Sequence, residues 1–212
     1  MAHPIVYGPA GSVHVWTVRL ALAEKGVAHQ LVPVPIGAHR EEPHLSRHPF
    51  AKVPAFEHEG FSLYEMQAII RYIDERFDGP PLQPEDVFEW SRMNQLIGIH
   101  DAYAFPAIGR QILWNHTLIP HLWGQTLDES AIAAALPQAR LCLSEIERLM
   151  AEGPFLAGPQ LSLADLALFP LLYHFARVPE GESEFGERPT LREWLARMEG
   201  RQSVAVTRPE AI

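Results

Sequence analysis

Cysteine is almost absent from this chain of 212 residues, in which Cys142 stands alone. A single cysteine excludes an internal disulfide, a Cys-x-x-Cys redox pair and a zinc site built from several thiolates. Basic residues are also scarce, with 17 Lys and Arg against 26 Asp and Glu and a net charge of −9 when His is neutral. This balance argues against a broad nucleic-acid surface, although it leaves room for a local basic pocket that binds a small anion.

Long hydrophobic runs are missing as well. No run approaches the ~20 apolar residues that a membrane helix needs, and the first residues lack the charged and apolar regions of a signal peptide. Hydrophobic residues nevertheless make up 47% of the chain and charged residues 20%, which is the composition of an ordinary globular protein. We therefore expect a cytoplasmic protein that has neither a membrane nor a nucleic acid as a partner.

The pattern of the chain changes at the turn-rich stretch Asp78-Gly79-Pro80-Pro81. Before it, short apolar strands alternate with helices; after it, nearly every segment has helical periodicity. The boundary predicts two domains, at 1–79 and 86–212.

The first domain is predicted to contain both strands and helices. Strands are expected at 4–7, 30–34, 55–57 and 61–64, helices at 13–25 and 69–77, and an irregular polar segment at 37–52. This β-α-β then β-β-α order, with Val53-Pro54 before the hairpin, suggests a thioredoxin-like fold.

The second half predicts an all-helical domain. Its helices are expected at 85–118, as one long or broken region, at 128–151, from 162 to about 175, and from 190 onward. Pro137 lies inside the second of these, so we expect a kink or a helix start there. Ser162 and Asp165 have the spacing of a capping box, and Thr190 with Glu193 has the spacing to cap the last helix.

Ser12 follows the turn Gly8-Pro9-Ala10-Gly11 and begins the first helix. The start of a helix presents unpaired N–H groups and a partial positive charge, which together favour an anion. The same position is also where a serine most often acts as a simple N-cap. The residues alone leave both readings open.

Several blocks along the chain resemble the soluble glutathione transferases, and most of all the phi-type serine enzymes of plants and their bacterial relatives. The first-domain blocks are Gly8–Ser12, His39–Phe50 with Pro43, Leu45 and Pro49, Lys52-Val53-Pro54-Ala55-Phe56-Glu57, and Tyr64-Glu65 with Ala68-Ile69 and Tyr72-Ile73. The second-domain blocks are Phe155–Gly158 with Leu161–Asp165, and Pro189 with Leu191 and Trp194. The resemblance implies a glutathione-binding first domain, a helical second domain lining the electrophile site, a detoxifying role and a homodimer.

The resemblance assigns thiol activation to Ser12, whose hydroxyl would donate a hydrogen bond to the sulfur of glutathione. A free thiol has a pKa of ~8.5, so this hydrogen bond and the helix start would raise the thiolate fraction at neutral pH. Tyr7 is the rival, since other classes of the family use a tyrosine near the end of the first strand.

The rest of the glutathione site is expected in three pieces. His39, Arg40 and Lys52 would contact the glycine carboxylate, although a solvated polar loop explains the same residues. Val53 and a cis Pro54 would present the Val53 backbone to the peptide, whereas an ordinary trans proline is the alternative. Glu65 and Met66 would hold the γ-glutamyl end, with Met66 replacing the usual serine and offering only its backbone N–H.

No metal and no cofactor is expected, with glutathione acting as a substrate. The electrophile site is assigned to Tyr103, Ile108, Trp114 and His116 on the long helical region, with ordinary packing as the alternative for each. Asp165 is expected to cap a helix, and Cys142 to be packed and unreactive.

The sequence thus predicts an enzyme that ionises the glutathione thiol and transfers it to an apolar electrophile. The alternative is a binding or regulatory module of the same fold without significant turnover, which Met66 favours. Thiol–disulfide exchange would need a cysteine at position 12, where the chain has Ser12.

Overall fold

The computed structural model describes residues 3–150 and 153–210. Contacts divide these into two compact units: the described residues up to Leu82 together with those from Gly200 onward, and the residues from Gln83 to Glu199. The first boundary lies close to the predicted one. The second differs from the predicted range of 86–212, because the C-terminal segment groups with the first unit. Within the described residues, no helix is long and apolar enough to cross a membrane.

The first unit is a four-stranded sheet with helices. Its strands are β1 (Ile5–Tyr7), β2 (Gln30–Val32), β3 (Ala55–His58) and β4 (Phe61–Tyr64), and its helices are α1 (Val13–Glu24), the short α2 (His44–Arg47), α3 (Met66–Arg76) and α11 (Gln202–Thr207). The strand order is β2-β1-β3-β4, with β1 and β2 parallel and the other neighbours antiparallel. This confirms the thioredoxin-like prediction. β2 lies at the edge of the sheet and ends just before Pro33, which could not donate to a neighbouring strand.

Helix α1 lies at the centre of the first unit and packs against both α3 and α11. Val15, Trp16, Val18, Leu20 and Leu22 are all fully buried on it. A stripe on one face would bury only part of this set, so the burial on several faces reflects the two helices packed against α1. The segment predicted as irregular, 37–52, contains a 3₁₀ turn at Ala38–Arg40 in addition to α2.

The second unit is helical, as predicted. It comprises α4 (Val87–Ile99), a π-helical segment (His100–Leu113), α5 (Trp114–His116), α6 (Leu118–Trp123), α7 (Glu129–Leu149), α8 (Leu163–Phe175), α9 (Pro179–Gly186) and α10 (Pro189–Glu199). The long region is therefore broken into α4, the π segment and α5.

Two expectations about helix starts in the second unit differ from the structure. Of the two alternatives at Pro137, a kink or a helix start, the start is wrong: Pro137 lies inside a helix that begins earlier, because the Asp128 side chain caps its first turn by accepting from Ser130 and Ala131. Thr190 lies within α10, which begins at Pro189, so it does not occupy the cap position. α10 is also not the last helix, since α11 follows it. The predicted end of α7 at 151 lies outside the described residues.

The helix start at α8 was predicted correctly. The buried Asp165 carboxylate accepts from the Ser162 backbone N–H at 2.9 Å and from its hydroxyl at 2.8 Å. The sequence did not predict two further donors to the same carboxylate, the Leu156 backbone N–H at 2.9 Å and the Trp194 indole at 2.8 Å. Asp165 therefore joins the start of α8 to α10 and to the preceding turn.

Candidate functional site

Ser12 is the N-cap residue of α1, yet its hydroxyl does not cap the helix. Its backbone is extended, with φ −68° and ψ 129°. The backbone N–H donates to Pro9 at 3.0 Å, and the carbonyl accepts from the N–H of Trp16 at 2.9 Å. The N-cap reading is thus correct for the position but not for the hydrogen bond. Among the described residues, the Ser12 hydroxyl has no partner, so it is available to a ligand.

The start of α1 is suited to a negatively charged atom. The helix is 12 residues long, and no acidic side chain lies in its first turn. Its first N–H groups have no carbonyl partner within the helix, and the helix dipole adds a partial positive charge at this end. An anion next to Ser12 therefore meets both the hydroxyl and the positive end of the helix.

Gly8 brings this turn against the Val53-Pro54 segment. It has φ 150°, and a Cβ built on it would collide with the Val15 side chain and lie 3.1 Å from Cβ of Val53. Only glycine permits this close approach with that backbone conformation. From the sequence, Gly8 is recognisable only as part of a turn; that it sets the distance between two parts of the site is visible only in the structure.

Tyr7 does not fit the role of thiol activator. Its hydroxyl donates to Oε2 of Glu57 at 2.9 Å, and the Arg47 guanidinium lies 4.2 Å from the centre of its ring. Burial, followed by the hydrogen bond to Glu57, raises the pKa of the Tyr7 hydroxyl. A tyrosine that is committed to a carboxylate is a poor donor to a thiolate, so Ser12 is the better candidate.

The polar residues of segment 37–52 differ in charge state and exposure. Nδ1 of His39 accepts the Gly37 N–H at 3.2 Å, which places the ring proton on Nε2. Burial, followed by the charges of Arg40 and His44, lowers the pKa of His39. His39 is therefore a neutral donor at neutral pH, whereas Arg40 and Lys52 are exposed cations.

The peptide bond between Val53 and Pro54 is cis, as the resemblance implied, and the trans alternative is wrong. Pro54 is buried and Val53 is half-buried just before β3. Within the described residues, the backbone N–H and carbonyl of Val53 have no hydrogen-bond partner. These two groups are therefore available to pair with an extended peptide.

Glu65 begins α3 in a conformation that non-glycine residues rarely adopt. It is exposed, with φ 68° and ψ 114°, and its side chain makes no capping hydrogen bond. Such conformations cost about 1–3 kcal/mol and occur mainly at functional sites. Met66, the next residue, is only 5% exposed, so its side chain is a core side chain and only its backbone N–H remains for a ligand.

The residues predicted to contact the electrophile do not share one environment. Tyr103 is 56% exposed and lines a cavity of about 380 Å³ between the π segment and α7. Trp114 is partly exposed, and His116 pairs through Nε2 with Glu180 at 2.8 Å. Ile108 is fully buried and does not fit the predicted role, because its side chain is enclosed in the helical core.

Cys142 is buried on α7, as expected, and burial raises the pKa of its thiol. A raised pKa keeps the sulfur protonated and unreactive at neutral pH.

Comparison with known proteins places these features in a family. Residues 6–81 match the model of the glutathione S-transferase N-terminal domain, and residues 129–197 match the model of its C-terminal domain. Glutathione S-transferase F7 of Arabidopsis thaliana is 30% identical over 206 residues, which cover 96% of this chain and 98% of that protein. The chain belongs to the glutathione S-transferase family.

Solved structures of other glutathione S-transferases have the same fold. Glutathione transferase F7 from Populus trichocarpa aligns with a TM-score of 0.87 and 28% identity, covering 96% of this chain and 97% of that one. Glutathione S-transferase I from maize, in complex with an atrazine glutathione conjugate, aligns with a TM-score of 0.84 and 27% identity, covering 99% and 100%. These relatives agree with the resemblance at the level of the family.

Within this glutathione S-transferase, the sequence predicted that Ser12 begins a helix and that the bond between Val53 and Pro54 is cis, and the structure has both. Sequence reasoning did not find the close approach at Gly8 or the strained backbone of Glu65. The only available signals were the Gly8-Pro9 turn and the abrupt start of an apolar helix after Glu65.

Proposed function

We propose that this glutathione S-transferase ionises the thiol of glutathione at the start of α1 and transfers it to an apolar electrophile, with Ser12 as the catalytic residue. The observation that carries the proposal is the Ser12 hydroxyl, which stands at an N-cap without making a capping hydrogen bond. A serine at this position usually accepts a hydrogen bond from a backbone N–H of the helix. Because the Ser12 hydroxyl does not, it is available to donate to sulfur.

The physical chemistry of this site favours the thiolate. The hydroxyl of Ser12 and the partial positive charge of α1 both stabilise the anion more than the neutral thiol. Lowering a thiol pKa from ~8.5 to ~6.5 converts most of the glutathione to the nucleophile at neutral pH. The thiolate then attacks the electrophilic carbon, the bond to the leaving group breaks or a proton adds to the conjugate position, and the enzyme itself stays unmodified.

The remaining groups would hold the tripeptide in three places. The backbone of Val53 would pair with the peptide as an added strand, with Pro54 fixing its position. Glu65 and the N–H of Met66 would bind the γ-glutamyl end. His39, as a neutral donor, and the cations Arg40 and Lys52 would bind the glycine carboxylate.

The second substrate would be an apolar electrophile held by the helical unit. Tyr103 and Trp114 offer exposed aromatic surface for it, whereas the His116 ring is engaged by Glu180 through a hydrogen bond. No cofactor or metal enters this mechanism, and the enzyme would work in the cytoplasm as a homodimer.

The test is glutathione binding and turnover with an aryl halide by the parent and by Ser12→Ala. We expect the alanine variant to lower kcat/KM by ~10–10³, because one donor to a resident anion is lost. The thiol pKa in the complex with glutathione should rise at the same time. Ser62→Ala is the matched control, since Ser62 is an exposed serine on β4 of the same unit, and its kinetics should not change.

Other outcomes distinguish the alternatives. If the parent binds glutathione but does not turn over, the binding module is the better account. If Ser12→Ala behaves like the parent at every pH, thiol activation belongs to other groups and the proposed role of Ser12 is wrong. If the parent neither binds glutathione nor turns over, both readings fail.

A further inference from the structure

The C-terminal helix α11 contacts α1 close to Ser12. The indole Nε1 of Trp16 donates to Oγ1 of Thr207 at 3.0 Å, and both residues belong to the first unit. Trp16 is fully buried, and Thr207 is 2% exposed. Thr207 in turn donates its hydroxyl to the carbonyl of Ser203 at 2.6 Å. The hydroxyl therefore both accepts and donates, and water does not compete for either hydrogen bond.

Trp16 is directly linked to Ser12 through the backbone. The N–H of Trp16 donates to the Ser12 carbonyl at 2.9 Å, which closes the first turn of α1. The indole that Thr207 holds thus belongs to the residue that fixes the peptide unit of Ser12. A displacement of the Trp16 backbone would move its hydrogen-bond partner, the Ser12 carbonyl, and with it the first turn of α1.

The opposite end of α1 is held by the same segment. The carboxylate of Glu24, the last residue of α1, accepts two hydrogen bonds from the Arg201 guanidinium, at 2.7 and 2.8 Å. The hydroxyl of Ser203 donates to the same carboxylate. Segment 201–207 therefore hydrogen-bonds to α1 at two places: at Trp16 in the first half of the helix and at Glu24, the last residue of the helix.

We infer that Thr207 is a positioning residue for thiol activation, acting through Trp16 on Ser12 and on the first turn of α1. This inference rests on the proposed function, because it assigns α11 a task at the site where that function places the thiolate. The hydrogen bond from a hydroxyl and the field of a helix end both depend on distance and direction. Small displacements of reacting groups have large effects on rate.

The decisive variant is Thr207→Val, which removes the hydroxyl that accepts from the Trp16 indole with little change in side-chain volume. The readout is the thiol pKa of bound glutathione, measured by the ultraviolet absorbance of the thiolate across a pH titration. It is accompanied by kcat/KM as a function of pH and by KM for glutathione. We expect a raised thiol pKa and a loss of ~3–10-fold in kcat/KM below that pKa, with KM for glutathione nearly unchanged.

Two control variants separate positioning from general packing. Thr207→Ser keeps the hydroxyl and should restore the parent thiol pKa. Val206→Ala changes a neighbouring side chain on α11 that is 60% exposed, and it should leave both the thiol pKa and kcat/KM unchanged. Trp16→Phe removes the same hydrogen bond by removing its donor. If Thr207→Val does not fold, the thiol pKa of Trp16→Phe is measured in its place.

The inference is overturned if Thr207→Val lowers the unfolding temperature but keeps the parent thiol pKa, because α11 would then only stabilise the unit. Failure of both Thr207→Val and Trp16→Phe to fold would overturn it for the same reason. Ser12→Ala, measured alongside, identifies a different failure. If Ser12→Ala leaves the thiol pKa unchanged, the proposed activation of the thiol by Ser12 is wrong. If only Thr207→Val leaves it unchanged, the positioning role of Thr207 alone is wrong.

Discussion

Ser12 and Tyr7 both present a hydroxyl near the junction of β1 and α1, but their surroundings give them different chemistry. Tyr7 donates to Glu57 and has a raised pKa, because it is buried beside a carboxylate. Ser12 keeps its hydroxyl without a partner among the described residues, at the positive end of α1. The difference lies in the local partners and not in the residue types, so it is a property of the fold.

Glu65 is the residue at which backbone strain and the proposed binding role coincide. Its φ of 68° is unfavourable for any residue with a Cβ. We expect Glu65→Gly to raise the free energy of unfolding by about 1 kcal/mol, because glycine adopts this conformation without strain. The same change should raise the dissociation constant for glutathione by ~10-fold, through loss of the carboxylate. Chemical denaturation and calorimetric titration measure the two effects separately.

Ala51→Gly is the control for this prediction. Ala51 also has a positive φ, of 51°, but it has no polar side chain to lose. It should gain stability and keep its affinity for glutathione. If Glu65→Gly binds as tightly as the parent, Glu65 does not hold the γ-glutamyl end.

At the scale of the element, helix α8 shows how burial of a charged or titratable group affects stability. Asp165 accepts four hydrogen bonds, of which the two from Ser162 fix the start of the helix and the other two come from Leu156 and Trp194. Near its end, burial followed by the charge of Arg177 lowers the pKa of His174 to about 4. The helix is otherwise almost wholly buried, so both groups lie in surroundings that penalise their charged forms.

The lowered pKa of His174 predicts how stability depends on pH. Since the unfolded chain binds this proton at a pKa of ~6.5 and the folded chain only at about 4, acid favours unfolding. The stabilisation is complete above pH ~6.5 and is lost as the pH falls toward 4, by a few kcal/mol in total. His174→Gln should flatten this part of the curve, measured as the free energy of unfolding between pH 4 and 7.

An exposed histidine provides the comparison. His3 is exposed on the surface, so His3→Gln should preserve the slope of the parent. Histidines 29, 39 and 48 also have lowered pKa values, so they contribute a slope of the same sign in His174→Gln. A slope identical to the parent in His174→Gln would show that His174 is not buried in the neutral form.

The prediction for the whole molecule concerns its oligomeric state. We predict a homodimer, as the family resemblance implies. Several large apolar side chains are exposed, among them Phe50, Phe88 and Trp90, and burying such surface favours association. Light scattering at micromolar concentration should give twice the chain mass of 23.8 kDa. A mass near that of one chain would contradict the prediction.

Local sequence patterns were sufficient to predict the type and order of most helices and strands. The alternation before Pro80 and the helical periodicity after it predicted the order of strands and helices, because these patterns depend on which face of each element is buried. Asp165 was found as a helix cap because a capping box involves residues only three positions apart. Predictions failed at Thr190 and at the C-terminal segment, where a neighbouring turn or a distant helix decides the outcome.

The sequence by itself determined that strands and helices alternate in the first part of the chain and that the second part is helical. It also determined the thioredoxin-like order of the first unit and the placement of Ser12 at the start of a helix. Only the tertiary structure decided that the hydroxyl of Ser12 is left unpaired, that Tyr7 is bound to Glu57 and that Met66 is a core residue. It also decided that Thr207 reaches Trp16, 191 residues away along the chain. The physical reason is that periodicity and capping are short-range, whereas a hydrogen-bond partner or a buried face is set by whichever distant segment folds against it.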